Sequence, residues 1–264
     1  MKKKFSPPVK NCIFKQYQLF TDMFVKKTVI LLITFFICIG SYAQQSVATR
    51  YKIDKSLKQD STVISMLSPY KKEVDIELRK VIGFSVAGLY KRSPEGNLGN
   101  FLADCMLVMA KEKTAKNIDA SFVNPGIIRS YISKGDITKQ KIYDVVPYDN
   151  VIVIQEIKGN ALRTFLDGIA NSGGWPLSGI SMQIKDKKAT NIFITGRVLD
   201  DSATYTIAGL DYMPGSDEYK ILQNSTLQNT GYLYRDAIIQ YIFQLTESGK
   251  PIDSKIDNRI TYAD

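Results

Sequence analysis

Four clusters in the chain combine turn-forming residues with a charged or aromatic side chain, and these are the places where chemistry could occur. The first runs Arg92-Ser93-Pro94-Glu95-Gly96-Asn97-Leu98-Gly99-Asn100-Phe101-Leu102-Ala103-Asp104. One proline and two glycines make a tight loop feeding a helix N-terminus, where free backbone N–H groups favour anions. The second, Asn124-Pro125-Gly126-Ile127-Ile128-Arg129, follows the apolar run Ala120–Val123 and sets an amide and a guanidinium on either side of a glycine turn. At the C-terminal end of a strand that layout suits ligand contacts. The third, Val146-Pro147-Tyr148-Asp149-Asn150, and the fourth, Asp211-Tyr212-Met213-Pro214-Gly215-Ser216-Asp217-Glu218-Tyr219, each place a tyrosine in a Pro- or Gly-bearing loop. Two loop aromatics can hold a planar base between their faces, and a carboxylate such as Asp217 can accept from ribose hydroxyls. Composition alone leaves plainer accounts open: a helix start, a surface turn with a solvated arginine, and half-buried tyrosines with wet hydroxyls.

An absence excludes more than these clusters establish. The 264 residues include no histidine, so a Ser-His-Asp or Cys-His nucleophile and the usual catalytic zinc sites lack their imidazole. A magnesium or calcium site of oxygen ligands, a lysine or carboxylate base, and a purely binding role stay open.

The first 43 residues read as a leader. From Met23, a second start that fits better than Met1, the order is Lys26-Lys27, an apolar run from Thr28 to Gly40, then Ser41-Tyr42-Ala43. That is a basic, then apolar, then small-x-small pattern of an export signal cleaved after Ala43. The run is shorter than the roughly 20 residues that span a bilayer, so no stable membrane span is expected once it is cut. Cys38 invites lipidation, but Ile37 stands where a small residue is wanted. The expected location is periplasmic or extracellular, or at the envelope.

Removing the leader changes two other readings. It holds seven lysines and one acid, so the net charge of +9 falls to +3, which gives no case for a nucleic acid polymer as partner. Cys12 and Cys38 leave with it, and Cys105, on an apolar stretch, is expected to be buried as a small hydrophobe.

The elements that must position the clusters follow from periodicity. Residues 44–69 read as a polar lead-in with a strand near Thr62–Met66, and the domain proper spans 70–264. Lys71–Ile82 suits an amphipathic helix running into a strand at Ile82–Val86. Leu98, Phe101, Leu102, Cys105, Met106 and Met109 follow i, i+3, i+4 spacing and predict a helix over Leu98–Lys113 with Asn97 or Asn100 as cap. Further helices are expected at Ile142–Val146, Ala161–Ala170 and Leu233–Glu247. Strands are expected at Ala120–Val123, Asn150–Ile157, Ser181–Ile184, Asn191–Gly196 and Ser202–Gly209, with a closing strand at Asp257–Tyr262. The class is mixed α/β (α+β), with more than one sheet packed with helices.

Six short motifs in order carry a resemblance. They are R-x-x-E-x-x-x-G-N-F-L-A-D at Arg92–Asp104, N-x-G-x-I-R at Asn124–Arg129, G-D-I-T at Gly135–Thr138, P-Y-x-N at Pro147–Asn150, G-G-W and S-G-I within Gly173–Ile180, and D-Y with G-S-D-E-Y within Asp211–Tyr219. From about Tyr70 to Tyr262 the chain resembles the C-terminal domain of the 5′-nucleotidase family, which includes UDP-sugar hydrolases and 2′,3′-cyclic nucleotide phosphodiesterases. The resemblance implies a substrate-binding domain without its N-terminal metallophosphatase partner. Arg92 and Arg129 match arginines that contact ribose and phosphate. Asn124, Gly126 and Asn150 fall in the loops near the base, Tyr148 and Tyr212 match the aromatics that sandwich it, and Asp217 matches the acid on the ribose hydroxyls.

The resemblance further implies no catalytic residue, metal ligand or cofactor on this chain, with divalent metals held by a separate metallophosphatase chain. The expected role is the nucleotide-recognising half of a split phosphohydrolase, inactive alone. A stand-alone nucleoside or nucleotide module at the envelope and a degenerate domain without ligand are the alternatives. Two departures bear on this: Pro125 and Ile127 replace glycines of the family loop, and Gly-Ser-Asp-Glu replaces Gly-Gly-Asp-Gly.

Overall fold

The computed structural model describes residues 25–33, 49–51, 54, 57–213 and 226–263. Met23, Cys12, Cys38, the cleavage point after Ala43, and Asp217 lie outside the described residues. Residues 25–33 are helical and exposed, and among the described residues no helix is long and apolar enough to cross a membrane. The chain divides into two units, 1–59 and 60–264, and everything that follows concerns the second.

That unit begins with helix α1 (Ser61–Leu78), where a strand near Thr62–Met66 was expected. The cause is local. The Asp60 carboxylate caps the first turn, accepting from the N–H groups of Thr62 at 2.8 Å and Val63 at 3.2 Å. Val63, Leu67, Tyr70 and Val74 then recur at spacings of four, three and four, a helical stripe that a five-residue window cannot reveal. Pro69 sits inside this helix and lacks the N–H that would bond the Ser65 carbonyl. The Ser68 hydroxyl donates to that carbonyl instead, at 3.3 Å.

The body is built from three sheets and the helices between them. Strand β1 (Val81–Ser85) leads through the Arg92 loop to α2 (Asn97–Thr114), then come β2 (Ala120–Phe122), a 3-10 turn (Pro125–Ile127), β3 (Gly135–Thr138), α3 (Lys139–Val145), β4 (Val151–Lys158) and α4 (Gly159–Asn171). Strands β5 (Leu177–Ser178), β6 (Ile180–Lys185), β7 (Lys188–Ile194), β8 (Arg197–Val198), β9 (Thr204–Leu210) and β10 (Thr226–Leu233) precede α5 (Tyr234–Glu247) and β11 (Ile260–Tyr262). β1 pairs with β3; a five-stranded sheet runs β10-β4-β9-β2-β5; a four-stranded sheet runs β11-β6-β7-β8. β2 with β9 and β11 with β6 are parallel pairs in otherwise antiparallel sheets. The architecture is the mixed α/β arrangement with several sheets that the sequence predicts.

Helix α2 is the central helix, with ten of its eighteen residues buried. Its apolar stripe packs on the five-stranded sheet beside Phe122, which is fully buried. Phe122 lies 4.6 Å from Phe165 of α4, and Phe165 meets Trp175 edge-on at 5.9 Å. Truncating such a ring costs about 3–5 kcal/mol. The helix is not capped by an asparagine side chain. Gly96 is the N-cap and offers none, while Asn97 accepts from Tyr90 N–H at 2.8 Å and donates to the Gly88 carbonyl at 3.0 Å. Asn100 is drawn inward to Glu95 at 2.6 Å. Both amides are used to hold the Arg92 loop.

Two motifs far apart in sequence lock together here. Gly174 has φ +100°, and a Cβ on it would stand 2.6 Å from the Pro94 carbonyl oxygen. A Cβ on Gly99 would be 2.8 Å from Pro176 Cγ, within the range that real Cβ atoms avoid. The Gly-Gly-Trp turn therefore braces the loop that carries Arg92.

Candidate functional site

The predicted site residues that fall among the described ones lie along one connected rim of backbone, and the links between them can be followed bond by bond. Leu89 and Ile132 exchange backbone hydrogen bonds at 2.8 and 3.1 Å, setting the Arg92 loop beside the segment that follows Arg129. Lys91 strengthens that link. Its ammonium donates to the carbonyls of Pro125 at 3.2 Å and Ile128 at 3.1 Å, so it clamps the turn between Asn124 and Arg129. Arg92 itself is exposed.

Within that turn, Asn124 Oδ1 accepts from Gly126 N–H at 2.6 Å and caps the 3-10 helix. A Cβ on Gly126 would be 2.9 Å from the same oxygen, so the position suits glycine. Asn124 is thus at least partly a structural residue rather than a purely ligand-directed one. Arg129 is exposed; its Nη1 donates to the Gly126 carbonyl at 3.3 Å, and its N–H donates to the Val145 carbonyl at 2.8 Å. That last bond joins the turn to the end of α3 and so to the third cluster.

Tyr148 stands on the loop after α3 with 44% of its surface exposed, and Asn150 precedes β4. β4 and β9 pair antiparallel with Ile152 opposite Leu210, and Asp211 N–H continues the ladder to the Val151 carbonyl at 3.0 Å. The register brings Tyr212, 36% exposed, to the strand end that carries Asn150. Asp217 lies outside the described residues, so the rim is followed only as far as Met213.

The polar interior of this corner is unusual. Among the described residues, three buried side-chain atoms have no hydrogen-bond partner: Asn150 Oδ1, Asp211 Oδ1 and Arg235 Nε. All three belong to one corner, since Tyr234 N–H donates to the Asn150 carbonyl at 2.8 Å while Asp211 borders the same strand pair. An unpartnered buried polar atom costs about 1–3 kcal/mol, and two acceptors and a donor are left so in the corner that also carries Tyr148 and Tyr212.

Lys91 and Arg235 escape motif reading. Lys91 is overshadowed by the neighbouring Arg92. Arg235 begins α5, where the helix dipole disfavours a cation, and that misfit was the available signal of a specific anionic or aromatic partner.

The first cluster also contains a group that faces inward. Arg259 bonds both oxygens of Asp104, at 2.6 and 2.9 Å, and both of Asp257, at 2.8 and 3.0 Å. Burial alone would lower the affinity of this guanidinium for its proton, but the hydrogen bonds it donates to Asp104 and Asp257 outweigh that and raise it. Burial likewise pushes Asp257 up, and the hydrogen bond from Arg259 with its neighbours holds it below the ordinary carboxylate value. A cavity of about 400 Å³ lies beside this clamp, lined by Phe101, Asp104, Tyr241 and Arg259 among others, and none of the predicted site residues borders it. Cys105 is buried, and its thiol is pushed well above the ordinary value by desolvation, then by Asp104 and Glu112.

Among the described residues no group of three or more Cys, Asp or Glu side chains is placed to hold a metal ion.

Comparison with known proteins bears on this rim. The family described as 5′-nucleotidase, C-terminal domain, matches residues 77–224. A 5′-nucleotidase of Vibrio cholerae is 29% identical over 209 residues, covering 75% of this chain and 36% of that protein. Protein UshA of Escherichia coli is 26% identical over 212 residues, 76% of this chain and 37% of that one. The chain thus spans little more than a third of these relatives' length. A 5′-nucleotidase precursor from Thermus thermophilus superposes with a TM-score of 0.65 at 23% identity over 80% of this chain and 45% of the other. The NAD nucleotidase of Haemophilus influenzae does so at 0.60 and 16% over 79% and 43%, a likeness of fold.

Proposed function

Because the chain belongs to the 5′-nucleotidase C-terminal domain family, we propose that it is the substrate-recognition half of a nucleotidase-type phosphohydrolase and binds a nucleoside or nucleotide. The observation that carries this reading is the corner where Tyr148 and Tyr212 stand exposed beside the unpartnered Asn150 Oδ1, Asp211 Oδ1 and Arg235 Nε. Tyrosine faces stack on a base. Arg92 and Arg129, exposed on the adjoining loops, supply cations for ribose and phosphate oxygens.

Hydrolysis belongs to a separate metallophosphatase chain in this proposal. Two metals would clamp the attacking water and the leaving oxygen there, while this chain holds the nucleoside end of the substrate in place. An exported location, periplasmic or extracellular, is part of the same proposal and is supported by the basic, apolar and small-residue order between Met23 and Ala43.

Calorimetry with AMP, adenosine and UDP-glucose tests the recognition half. Binding that is lost on combining Tyr148→Ala with Tyr212→Ala is expected, each ring contributing about 1–3 kcal/mol. Silence from every ligand in the wild-type chain refutes it. The hydrolytic half is tested by adding an exported metallophosphatase chain with its metals and assaying phosphate release; an inactive, verified complex counts against the split enzyme.

A further inference from the structure

We propose that Arg235 is the positioning residue of the aromatic loop, holding Tyr148 and Asn150 where a base would stack. The inference rests on the nucleotide reading above and assigns a role to a side chain outside the motifs.

Arg235 sits in the first turn of α5 yet reaches across to the segment before β4. Its guanidinium lies 4.1 Å from the centre of the Tyr143 ring, a cation over an aromatic face. Nη2 pairs with the Asp149 carboxylate, and Nη1 donates to the Tyr148 carbonyl at 3.4 Å. One planar group thus touches Tyr143 in α3, the Tyr148 backbone and the Asp149 carboxylate. The neighbouring Tyr234 N–H adds a fourth attachment, to the Asn150 carbonyl. The end of α3 at Tyr143 and the loop from Tyr148 to Asn150 are therefore both held from α5.

The asymmetry of burial favours positioning over plain stability. The Arg235 side chain is 9% exposed and that of Asp149 is 74% exposed. An ion pair with one end in water holds little by itself, whereas the buried plane on Tyr143 sets the direction of the loop. Placing a cation against the positive end of a helix opposes the helix dipole, and the arrangement makes sense where those contacts are the purpose. A lysine could keep the charge but not the flat face or the two-nitrogen reach.

The experiment measures AMP affinity by calorimetry in four proteins: wild type, Arg235→Met, Tyr148→Ala and the double variant, with Arg235→Lys as a milder fifth. Methionine keeps the apolar stem, and thermal unfolding verifies that each variant is folded. Arg235→Met is expected to weaken AMP binding about tenfold, within the worth of one stacked ring. In the Tyr148→Ala background the same change is expected to cost less than about twofold, because its effect passes through that ring. Arg235→Lys is expected to recover only part of the affinity. A loss that is equal in both backgrounds, or full recovery with lysine, overturns the inference. Binding within about twofold of wild type in Arg235→Met and Arg235→Lys overturns it while leaving the nucleotide reading intact. Absence of AMP binding by the wild-type chain overturns both.

Discussion

Arg259 grips Asp104 with two parallel hydrogen bonds, 2.6 Å from Nη1 and 2.9 Å from Nη2, across 155 residues of sequence. The pair fastens the segment before β11 to the middle of α2, and Ser178 donates to the same carboxylate at 2.6 Å. Arg259→Met leaves Asp104 and Asp257 facing each other without their cation. The expected loss is about 2–3 kcal/mol of unfolding free energy, measured by urea denaturation, because the arginine is mostly buried and both acids keep some access to water. Asp257→Asn is expected to cost less, since Asp104 still holds the guanidinium.

The end of α1 is fastened in a pH-dependent way. Lys139, and then Lys80, hold the Glu77 carboxyl down from 4.5 to about 2. A carboxylate with a lowered value in the folded chain stabilises fully above the unfolded value and loses that contribution as pH falls from about 4.5 toward 2. The group is exposed, so salt screens the effect. Cleavage by pepsin within α1 is expected to accelerate across that window in the wild-type chain, and Glu77→Gln is expected to show the fast rate throughout.

Gly174 and Gly173 form a matched pair of tests. Both have positive φ, +100° and +88°, but a Cβ at 173 meets nothing within 4 Å while one at 174 strikes Pro94. Gly173→Ala is expected to cost about 1–3 kcal/mol from backbone conformation alone. Gly174→Ala is expected to cost more and to weaken AMP binding as well, since Pro94 belongs to the Arg92 loop. Melting temperature and calorimetry together separate the two.

Lys91 holds the loop of Arg92 to the turn of Asn124 and Arg129 through two carbonyls. Replacing it with methionine is expected to leave the melting temperature nearly unchanged, because the group is exposed. Affinity for AMP is expected to fall about threefold to tenfold, the net worth of one ordinary hydrogen bond, with adenosine less affected than AMP.

Legibility in the sequence followed the range of the signal. Leu98 to Met109 repeats its stripe over three turns, and α2 runs where that stripe predicts. The stripe of α1 is just as regular, but Pro69 interrupts it to the eye, and the Ser68 hydroxyl that excuses the proline is a contact only the fold creates. β10 escaped altogether. Thr226–Leu233 has little apolar alternation, and it is a strand because β4 presents an unpaired edge to it. For the candidate site, the turn-rich motifs mark the loops, and the structure sets Asn124, Arg129, Tyr148, Asn150 and Tyr212 along one rim. Lys91 and Arg235 were not legible, because what singles them out is the position of carbonyls and a ring contributed by distant segments.

The long reach of the Arg259 clamp has a consequence for how the chain comes off the ribosome. Asp104 and Asn100 are made early, yet their partners Arg259, Asp257 and the Lys255 carbonyl emerge more than 150 residues later. During that interval α2 can settle on its sheet, but its outer polar side stays unmatched and β6 lacks its parallel neighbour β11. The contacts of α2 with Lys255, Asp257 and Arg259 and the β6–β11 pairing can therefore form only once the last strand is available.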